Sequence, residues 1–259
     1  MKLHFTKYQA TGNDFVLLDN RNGAIKLSIA EVQRICDRKF GIGADGLIMI
    51  EKDPKLDFNL VYFNSDGTQS LCGNGTRAAM KMASSLGIVN GKASFNAYDG
   101  AHQAEILDND IVKVRMNDVT AVQSIGNDFF ISTGSPHLIR FVSDLRNFPV
   151  FEEGKKIRYS DAYKPGGTNA NFVELLGNNK IYVRTYERGV ENETLSCGTG
   201  VTAAALAVHF KGYRSPVAIK TQGGDLSVQF EAQAGQSVTF RDIFLIGPAK
   251  MVFEGDLEL

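Results

Sequence analysis

Short apolar runs, many of them alternating with polar residues, predict β-strands along most of the chain, and helical periodicity occurs at only a few places. The predicted strands are 3–5, 15–18, 47–50, 58–63, 93–98, 103–107, 111–116, 172–176 and 181–186. Ser28, with Glu31 three residues later, predicts a capping box that opens a helix running to about Lys39. The polar stretch 144–159 is interpreted as a connection. This mixture of elements predicts an α+β protein.

Two further helices are predicted to begin at similar segments, residues 71–79 and 196–204. Each segment follows a predicted strand and places a cysteine, flanked by glycines, immediately before the helix. The first helix is predicted to end near Leu86 and the second near Phe210. The second is apolar on nearly all sides, which predicts that it is buried on all sides.

The spacing of these segments indicates an internal duplication. Cys72 and Cys197 lie 125 residues apart, and the glycine-containing segments that begin at Gly41 and Gly166 repeat that spacing. We therefore expect two similar half-domains, each a curved mixed β-sheet wrapped around a central helix. Because a duplication places equivalent sites face to face, the two cysteines should meet in the cleft between the halves.

The expected boundaries follow from the same repeat. The first half-domain is predicted to span 1–117 and the second 118–247. The C-terminal segment 248–259 has no counterpart ahead of the second half, so it is expected to return as a strand to the first half-domain.

Composition and charge narrow the class of protein. The chain has 259 residues and a formal net charge of -1, which gives no electrostatic reason to expect nucleic acid or an anionic membrane as a partner. No apolar run reaches transmembrane length, and residues 1–10 lack the apolar segment of a signal peptide. We therefore expect a cytoplasmic protein with reduced thiols. Three cysteines without C-x-x-C spacing and four histidines predict neither a disulfide framework nor a metal site.

The two glycine-flanked cysteines are interpreted as an acid–base pair. A helix N-terminus favours a thiolate and an anionic ligand, because its N–H groups are free and it has a partial positive charge. Thiols with a pKa near ~8.5 can coexist as one thiolate and one thiol close to neutral pH. Such a pair can remove a proton from one face of a carbon and return one on the other. This is the racemisation or epimerisation of an amino acid, and nothing in the sequence marks a cofactor lysine.

Other interpretations of the cysteines stay open at this point. They could be buried core residues, a redox pair, or one nucleophile activated by His137. Cys36 differs from both because it lies on the apolar face of the first predicted helix without flanking glycines, so it is expected to be a core residue.

Several segments resemble the diaminopimelate epimerase family. The matching segments cover most of the chain and are 11–15, 40–45, 63–67, 72–77, 187–189 and 193–200. The resemblance implies interconversion of LL- and meso-2,6-diaminopimelate in lysine and peptidoglycan precursor synthesis. It also implies a homodimer that needs no cofactor.

The resemblance further implies roles for individual residues. Cys72 and Cys197 would be base and acid and would exchange roles with the direction of reaction, while His137 and Glu187 match positions that support activity. The residues that match substrate-binding positions are Asn13, Asn64, Gly73, Asn74, Asn169, Glu187, Arg188, Gly198 and Thr199.

Two positions depart from the common family pattern, and other classes of function remain as alternatives. Gly46 stands where many members have glutamine, and Ser135 where many have asparagine. Proline racemase and hydroxyproline epimerase-type enzymes share the expected fold and cysteine pair but usually have histidine where Asn74 stands. Phenazine-biosynthesis-type isomerases share the fold but lack the thiol pair. A non-catalytic amino-acid-binding protein with inert thiols is the alternative outside enzymes.

Overall fold

A computed structural model gives the fold of the chain and describes residues 2–108, 110–235 and 238–259. Contacts divide the chain into two compact units. Unit 1 comprises Met1–Val114 with Gly247–Leu259, and unit 2 comprises Arg115–Ile246. Each unit combines parallel and antiparallel strand pairs with α-helices, so the predicted α+β class is confirmed.

Among the described residues, two helices and seven strands begin in the first part of unit 1. The strands are β1 (Lys2–Ala10), β2 (Asn13–Asp19), β3 (Gly46–Glu51), β4 (Phe58–Asn64), β5 (Lys92–Ala97), β6 (Gly100–Asp108) and β7 (Ile111–Arg115), and the helices are α1 (Ile29–Cys36) and α2 (Gly73–Ser85). Pairs β1–β2, β3–β4 and β5–β6 are antiparallel, whereas β2–β3 and β4–β5 are parallel. Helix α2 packs against β1, β2, β3, β4 and β6 and is buried along its first eight residues.

Helix α1 confirms the predicted capping box but ends earlier than predicted. The Ser28 hydroxyl accepts the N–H of Glu31, and the Glu31 carboxylate accepts the N–H of Ser28. The helix stops at Cys36 because the carboxylate of Asp37 accepts the backbone N–H groups of Lys39 and Phe40, which favours a turn over another helical turn.

Among the described residues, the next nine strands along the chain begin in unit 2. They are β8 (Val122–Ile125), β9 (Asp128–Ser132), β10 (Pro136–Phe141), β11 (Asn169–Gly177), β12 (Lys180–Glu187), β13 (Asn192–Thr194), β14 (Val217–Thr221), β15 (Gly224–Gln233) and β16 (Thr239–Pro248), and its helices are α3 (Val150–Arg158) and α4 (Gly198–Ala207). Helix α4 is buried at every residue except Thr199, as its all-round apolar pattern predicts. It continues as a 3₁₀ turn over 208–211.

The two units repeat one order of strand pairing. In unit 2, β9–β10, β11–β12 and β14–β15 are antiparallel, whereas β10–β11 and β12–β14 are parallel. This is the order found from β1 to β6. Helix α2 follows β4 as α4 follows β12 and β13, and α1 and α3 occupy the earlier parallel crossovers. The repeat seen in the sequence therefore corresponds to a repeated order of strand pairing in the structure.

The interpretation of 144–159 as a connection is wrong, because α3 lies within it. Val150, Gly154 and Ile157 are buried at helical spacing, and acidic residues in the first turn and basic residues in the last favour the helix dipole. The buried positions include a glycine, which weakened the apolar signal. Gly154 is required there because an added Cβ would overlap the side chain of Tyr186.

The last strand, β17 (Lys250–Glu258), pairs antiparallel with β1. Its register runs from Glu258 opposite Lys2 to Lys250 opposite Gln9. The C-terminal segment is therefore part of the sheet of unit 1. The expected boundaries of the duplicated halves, at 117/118 and 247/248, remain a prediction.

Candidate functional site

Cys72 occupies the N-cap position of α2 in unit 1. Its backbone is extended, with φ -127° and ψ 112°, and Sγ accepts the N–H of Gly75 at 3.4 Å. Gly73 and Asn74 are the first two residues of the helix, where backbone N–H groups point away from the helix body. The helix start therefore combines a sulfur with the N–H donors and partial positive charge that favour an anion.

Asn13 presents its amide oxygen to this sulfur. Its Oδ1 lies 3.6 Å from Cys72 Sγ and accepts Asn74 Nδ2 at 3.2 Å. Its Nδ2 donates to the Asp45 carboxylate at 2.5 Å, which fixes the orientation of the amide. The structure therefore brings three of the predicted site residues, Asn13, Cys72 and Asn74, into one cluster.

An ionic network holds the segment that carries Asp45. Arg38 donates to Asp14 at 2.6 and 3.0 Å and to Asp45 at 2.7 Å. Lys7 is buried, donates to the carbonyl oxygen of Gly43 and lies 2.7 Å from Asp14. Burial raises the pKa of Asp14, but hydrogen bonds and charge from Arg38 and Lys7 outweigh this and hold the pKa at about 2.

Arg77 is a functional candidate that the sequence interpretation missed. It is fully buried in α2, and its Nη2 donates to Asn74 Oδ1 at 3.0 Å and to Thr11 Oγ1 at 3.1 Å. Burial lowers its pKa to about 10, opposed by the charge of Cys72. The guanidinium therefore stays protonated at neutral pH and favours the thiolate of Cys72. The signal available in the sequence was an arginine among the small residues of the predicted helix.

Asn64 and Gly46 lie opposite each other in the β3–β4 register. Asn64 is held by the turn that follows it, with Nδ2 donating to Thr68 Oγ1 at 3.0 Å and Oδ1 accepting Ser70 Oγ at 3.3 Å. These hydrogen bonds tie Asn64 to its own turn, and neither of them involves Cys72. At Gly46 an added Cβ would lie 2.6 Å from Tyr62 Cε2 and 2.7 Å from the Phe63 carbonyl oxygen, so no side chain fits there without movement.

Cys197 occupies the equivalent N-cap position of α4 in unit 2. Its backbone is also extended, with φ -115° and ψ 112°, and the residue is buried. Gly198 and Thr199 are the first two residues of the helix. The hydroxyl oxygen of Thr199 lies 3.5 Å from the sulfur of Cys197.

His137 joins this helix start through hydroxyl groups. Its Nε2 lies 2.9 Å from both Ser135 Oγ and Thr199 Oγ1, and its Nδ1 lies 3.1 Å from Asn171 Nδ2. Burial, with a smaller contribution from the charge of Arg188, lowers the pKa of His137 to about 3. The imidazole is therefore neutral at neutral pH, and it reaches Cys197 through Thr199.

Asn169 connects Ser135 with Arg188. Its Nδ2 donates to Ser135 Oγ at 3.3 Å, and its Oδ1 accepts the backbone N–H of Arg188 at 2.8 Å. The Arg188 guanidinium donates to the carbonyl oxygen of Gly166 at 3.2 Å, and Glu187 accepts the Thr194 hydroxyl at 2.9 Å. Ser135, although it departs from the family pattern, thus links Asn169 with His137.

The second glycine of each cysteine segment, Gly75 or Gly200, has a packing role that the sequence did not reveal. An added Cβ at Gly75 would lie 3.1 Å from Ile48 Cδ1. At Gly200 it would overlap the amide oxygen of Asn171 and lie 3.3 Å from the sulfur of Cys197. At these two positions the absence of a Cβ therefore lets a neighbouring side chain pack directly against the helix start.

Clusters that could hold a metal ion are absent from the described residues, where no group of three or more His, Cys, Asp or Glu side chains has the required arrangement. Within the same residue ranges, no helix is long and apolar enough to cross a membrane.

Comparison with known proteins gives a family match over nearly the whole chain. The model of the family described as diaminopimelate epimerase matches residues 5–122 and 129–252. A diaminopimelate epimerase from Flavobacterium psychrophilum is 49% identical, over 98% of this chain and 99% of the relative.

Solved structures share the fold at low sequence identity. A phenazine biosynthesis protein from Bacillus anthracis has a TM-score of 0.76 at 15% identity and covers 100% of both chains. A hydroxyproline epimerase from Agrobacterium vitis has a TM-score of 0.69 at 14% identity, over 100% of this chain and 93% of that one. These likenesses confirm the predicted fold class.

Proposed function

This chain belongs to the diaminopimelate epimerase family, and we propose that it interconverts LL- and meso-2,6-diaminopimelate without a cofactor, with Cys72 and Cys197 as acid and base. The observation that supports the assignment is the pair of matched helix starts. Each has a cysteine at the N-cap with an extended backbone, in two units that share one order of strand pairing.

The proposed reaction needs one thiolate and one thiol. The thiolate removes the α-proton of the substrate, and the other thiol delivers its proton to the opposite face of the same carbon. Negative charge that develops on the α-carboxylate would be stabilised by the backbone N–H groups of Gly73, Asn74, Gly198 and Thr199. When the reaction runs in reverse, Cys72 and Cys197 exchange roles.

The remaining site residues are proposed to bind the substrate. Arg188 can hold a carboxylate through its planar guanidinium, and the amides of Asn13, Asn64 and Asn169 can bind both ammonium and carboxylate groups. Glu187 can accept a hydrogen bond from an ammonium group. His137 supports the acid–base step through Thr199.

We place the reaction in the cytoplasm, in the synthesis of lysine and peptidoglycan precursors, and propose a homodimer. Sedimentation equilibrium of the purified protein tests the oligomeric state. A species of monomer mass at micromolar concentration would contradict the dimer without affecting the proposed chemistry.

The proposed activity is tested in deuterated water with LL-diaminopimelate as substrate. Chiral chromatography should show formation of the meso isomer, and early-time mass analysis should show deuterium at its new centre from the first turnover. Unreacted LL isomer should gain little deuterium, because the base that took its proton can return only that proton within one encounter. Unlabelled meso product would contradict two separate bases.

Proline, 4-hydroxyproline and alanine serve as controls for the alternative isomerases. Each lacks the second amino-acid group that Arg188 and the asparagines are proposed to bind, so each should be a very poor substrate. Efficient turnover of proline would favour a proline racemase-type activity. No turnover of any amino acid, together with slow alkylation of both cysteines, would favour the non-catalytic binding protein.

A further inference from the structure

The orientation of the Asn171 side chain is fixed by its buried neighbours. Asn171 is fully buried, and its Nδ2 donates to the carbonyl oxygen of Leu138 at 3.1 Å. Its Oδ1 accepts the hydroxyl of Thr185 at 2.9 Å. Because a carbonyl oxygen can only accept, the amide nitrogen must face Leu138. The same nitrogen lies 3.1 Å from His137 Nδ1.

This orientation decides which ring nitrogen of His137 carries the proton. Asn171 Nδ2 is a donor, so His137 Nδ1 accepts and has no hydrogen. In a neutral imidazole the proton must then lie on Nε2, and the low pKa of His137 supports the neutral form. Nε2 has two hydroxyl oxygens within 2.9 Å, those of Ser135 and Thr199, and either can accept.

The Nε2–H tautomer in turn sets the direction of the Thr199 hydroxyl. If Thr199 accepts from His137, its own hydrogen is available for the sulfur of Cys197 at 3.5 Å. If Ser135 accepts the hydrogen bond from His137 instead, the Ser135 hydroxyl can donate to Thr199 Oγ1, which lies 3.3 Å away. Both routes leave Thr199 as the donor to Cys197, which stabilises the thiolate form.

We propose that Asn171 is a positioning residue that holds His137 as the Nε2–H tautomer and thereby directs the Thr199 hydroxyl hydrogen at the sulfur of Cys197. Its importance for turnover rests on the proposed function, in which Cys197 alternates between thiolate and thiol. The tautomer itself does not depend on any substrate. Gly200 belongs to the same arrangement, because a side chain there would displace the Asn171 amide.

The tautomer is measured directly on the ligand-free protein labelled with nitrogen-15. Two-bond nitrogen–proton correlation spectra separate protonated from unprotonated ring nitrogens, and comparison with His137→Gln assigns the His137 signals among the four histidines. We expect an unprotonated Nδ1 and a protonated Nε2. A protonated Nδ1 at neutral pH would overturn the proposal, whether or not the protein turns over diaminopimelate.

Asn171→Asp tests the cause of the tautomer. A buried carboxylate can only accept, so His137 should move its proton to Nδ1, as in the aspartate–histidine pairs of hydrolases. The spectrum is taken above neutral pH, where such a histidine is uncharged. Thr185→Val is the matched control, because it removes the hydrogen bond to the amide oxygen and leaves Leu138 to orient the nitrogen. It should retain the Nε2–H tautomer, and a switch in this control would overturn the proposal.

A double-mutant cycle tests transmission to Cys197. Alkylation of Cys197, followed by mass spectrometry, should slow by about tenfold in Asn171→Asp, the scale of one hydrogen bond to a charged group. The new carboxylate could also act on the sulfur through its charge. In the Thr199→Val background the hydroxyl route is absent, so Asn171→Asp should then change the rate little. An effect of the same size in both backgrounds would overturn the relay. The wild-type spectrum remains decisive if Asn171→Asp fails to fold.

Discussion

The helix starts of α2 and α4 have nearly the same backbone but different groups around the sulfur. Both cysteines are extended N-cap residues with ψ of 112°, and both helices follow equivalent strands. In unit 1 the buried partner is the Arg77 guanidinium, whose charge interacts with Cys72. In unit 2 it is the neutral imidazole of His137, which reaches Cys197 through a hydroxyl.

The comparison separates what the fold provides from what the side chains provide. The strand–turn–helix arrangement gives each cysteine an anion-stabilising helix start. The neighbouring residues then act on the sulfur by two physical means, a buried positive charge in unit 1 and a directed hydrogen bond in unit 2. We expect the two sites to respond differently to equivalent changes, and the predictions follow from the largest effect to the smallest.

Removal of either sulfur should have the largest effect. Cys72→Ala and Cys197→Ala should each lower the epimerisation rate by about 10³-fold or more, within the range of a lost general acid or base. In deuterated water, neither variant should form inverted product that carries deuterium at the new centre, because one of the two thiols that act on opposite faces is missing. Chiral chromatography with mass analysis measures both results.

Cys36→Ala is the control for loss of a cysteine away from the site. Burial raises the pKa of Cys36 to about 11, so its thiol should alkylate most slowly of the three cysteines at neutral pH. Activity of this variant should be retained. If Cys72→Ala or Cys197→Ala kept near-normal activity, the two-thiol mechanism would be wrong.

Arg77→Met should distinguish the two sites. Loss of a nearby cation disfavours a thiolate, so alkylation of Cys72 should slow by about tenfold near neutral pH, whereas that of Cys197 should change little. Peptide mass spectrometry after timed alkylation gives both rates in one sample. Arg77→Lys keeps the charge but loses the planar fork that reaches Thr11 and Asn74, so it should slow Cys72 less. Equal slowing of both cysteines would indicate general disruption.

The sequence was sufficient for features with a local cause. The α1 capping box, the start of α2 at Cys72 and the buried character of α4 follow from neighbouring residues and periodicity. Asn13 and Asn169 are each the first residue of a strand, but their roles were implied by the family resemblance and not by a local pattern. Helix α3 was missed, although its buried positions have helical spacing, because one of them is a glycine.

The side-chain networks could not be derived in the same way. Arg77 meets Thr11 across 66 positions, and Asn171 meets His137 across 34. Such contacts depend on how distant segments pack, including the register of distant strands, and single-sequence patterns do not report that register. The glycines illustrate the same point. The sequence indicates that some group approaches the backbone closely, but it does not show that the Asn171 side chain packs against Gly200.

Equivalent glycine substitutions should give unequal results. Gly75→Ala brings a methyl group to 3.1 Å from the end of the Ile48 side chain, which can shift, so the effect on activity should be small. Gly200→Ala would displace the Asn171 amide and crowd Cys197, so it should cost about 1–3 kcal/mol and slow Cys197 alkylation. Denaturant unfolding and timed alkylation measure the pair. Similar outcomes for both variants would argue against the difference between the two sites.

The last effect concerns acid stability and not turnover, and it should separate the networks by pH. His137 has its folded-state pKa lowered from 6.5 to about 3, so its contribution to stability is present above pH 6.5 and is lost progressively as pH falls towards 3. Asp14 has its pKa lowered from 3.8 to about 2, so its contribution is present above pH 3.8 and is lost as pH falls through 2. Unit 2 should therefore respond to acid before the ionic network of unit 1.

His137→Gln should flatten the fall in unfolding free energy between pH 6.5 and pH 3.8 by up to about 1.4 kcal/mol per pH unit, because one fewer proton is taken up on unfolding. Asp14→Asn should leave the pH dependence of the unfolding free energy unchanged in that interval, and should reduce the loss of unfolding free energy only below pH 3.8. His209→Gln is the matched reference, since burial also lowers the pKa of His209, although that ring lies outside the Cys197 network. Urea unfolding at a series of pH values measures all three variants. A His137→Gln curve parallel to wild type would mean that the pKa of His137 is the same in the folded and unfolded protein, which would contradict an imidazole kept neutral by burial between pH 6.5 and pH 3.8.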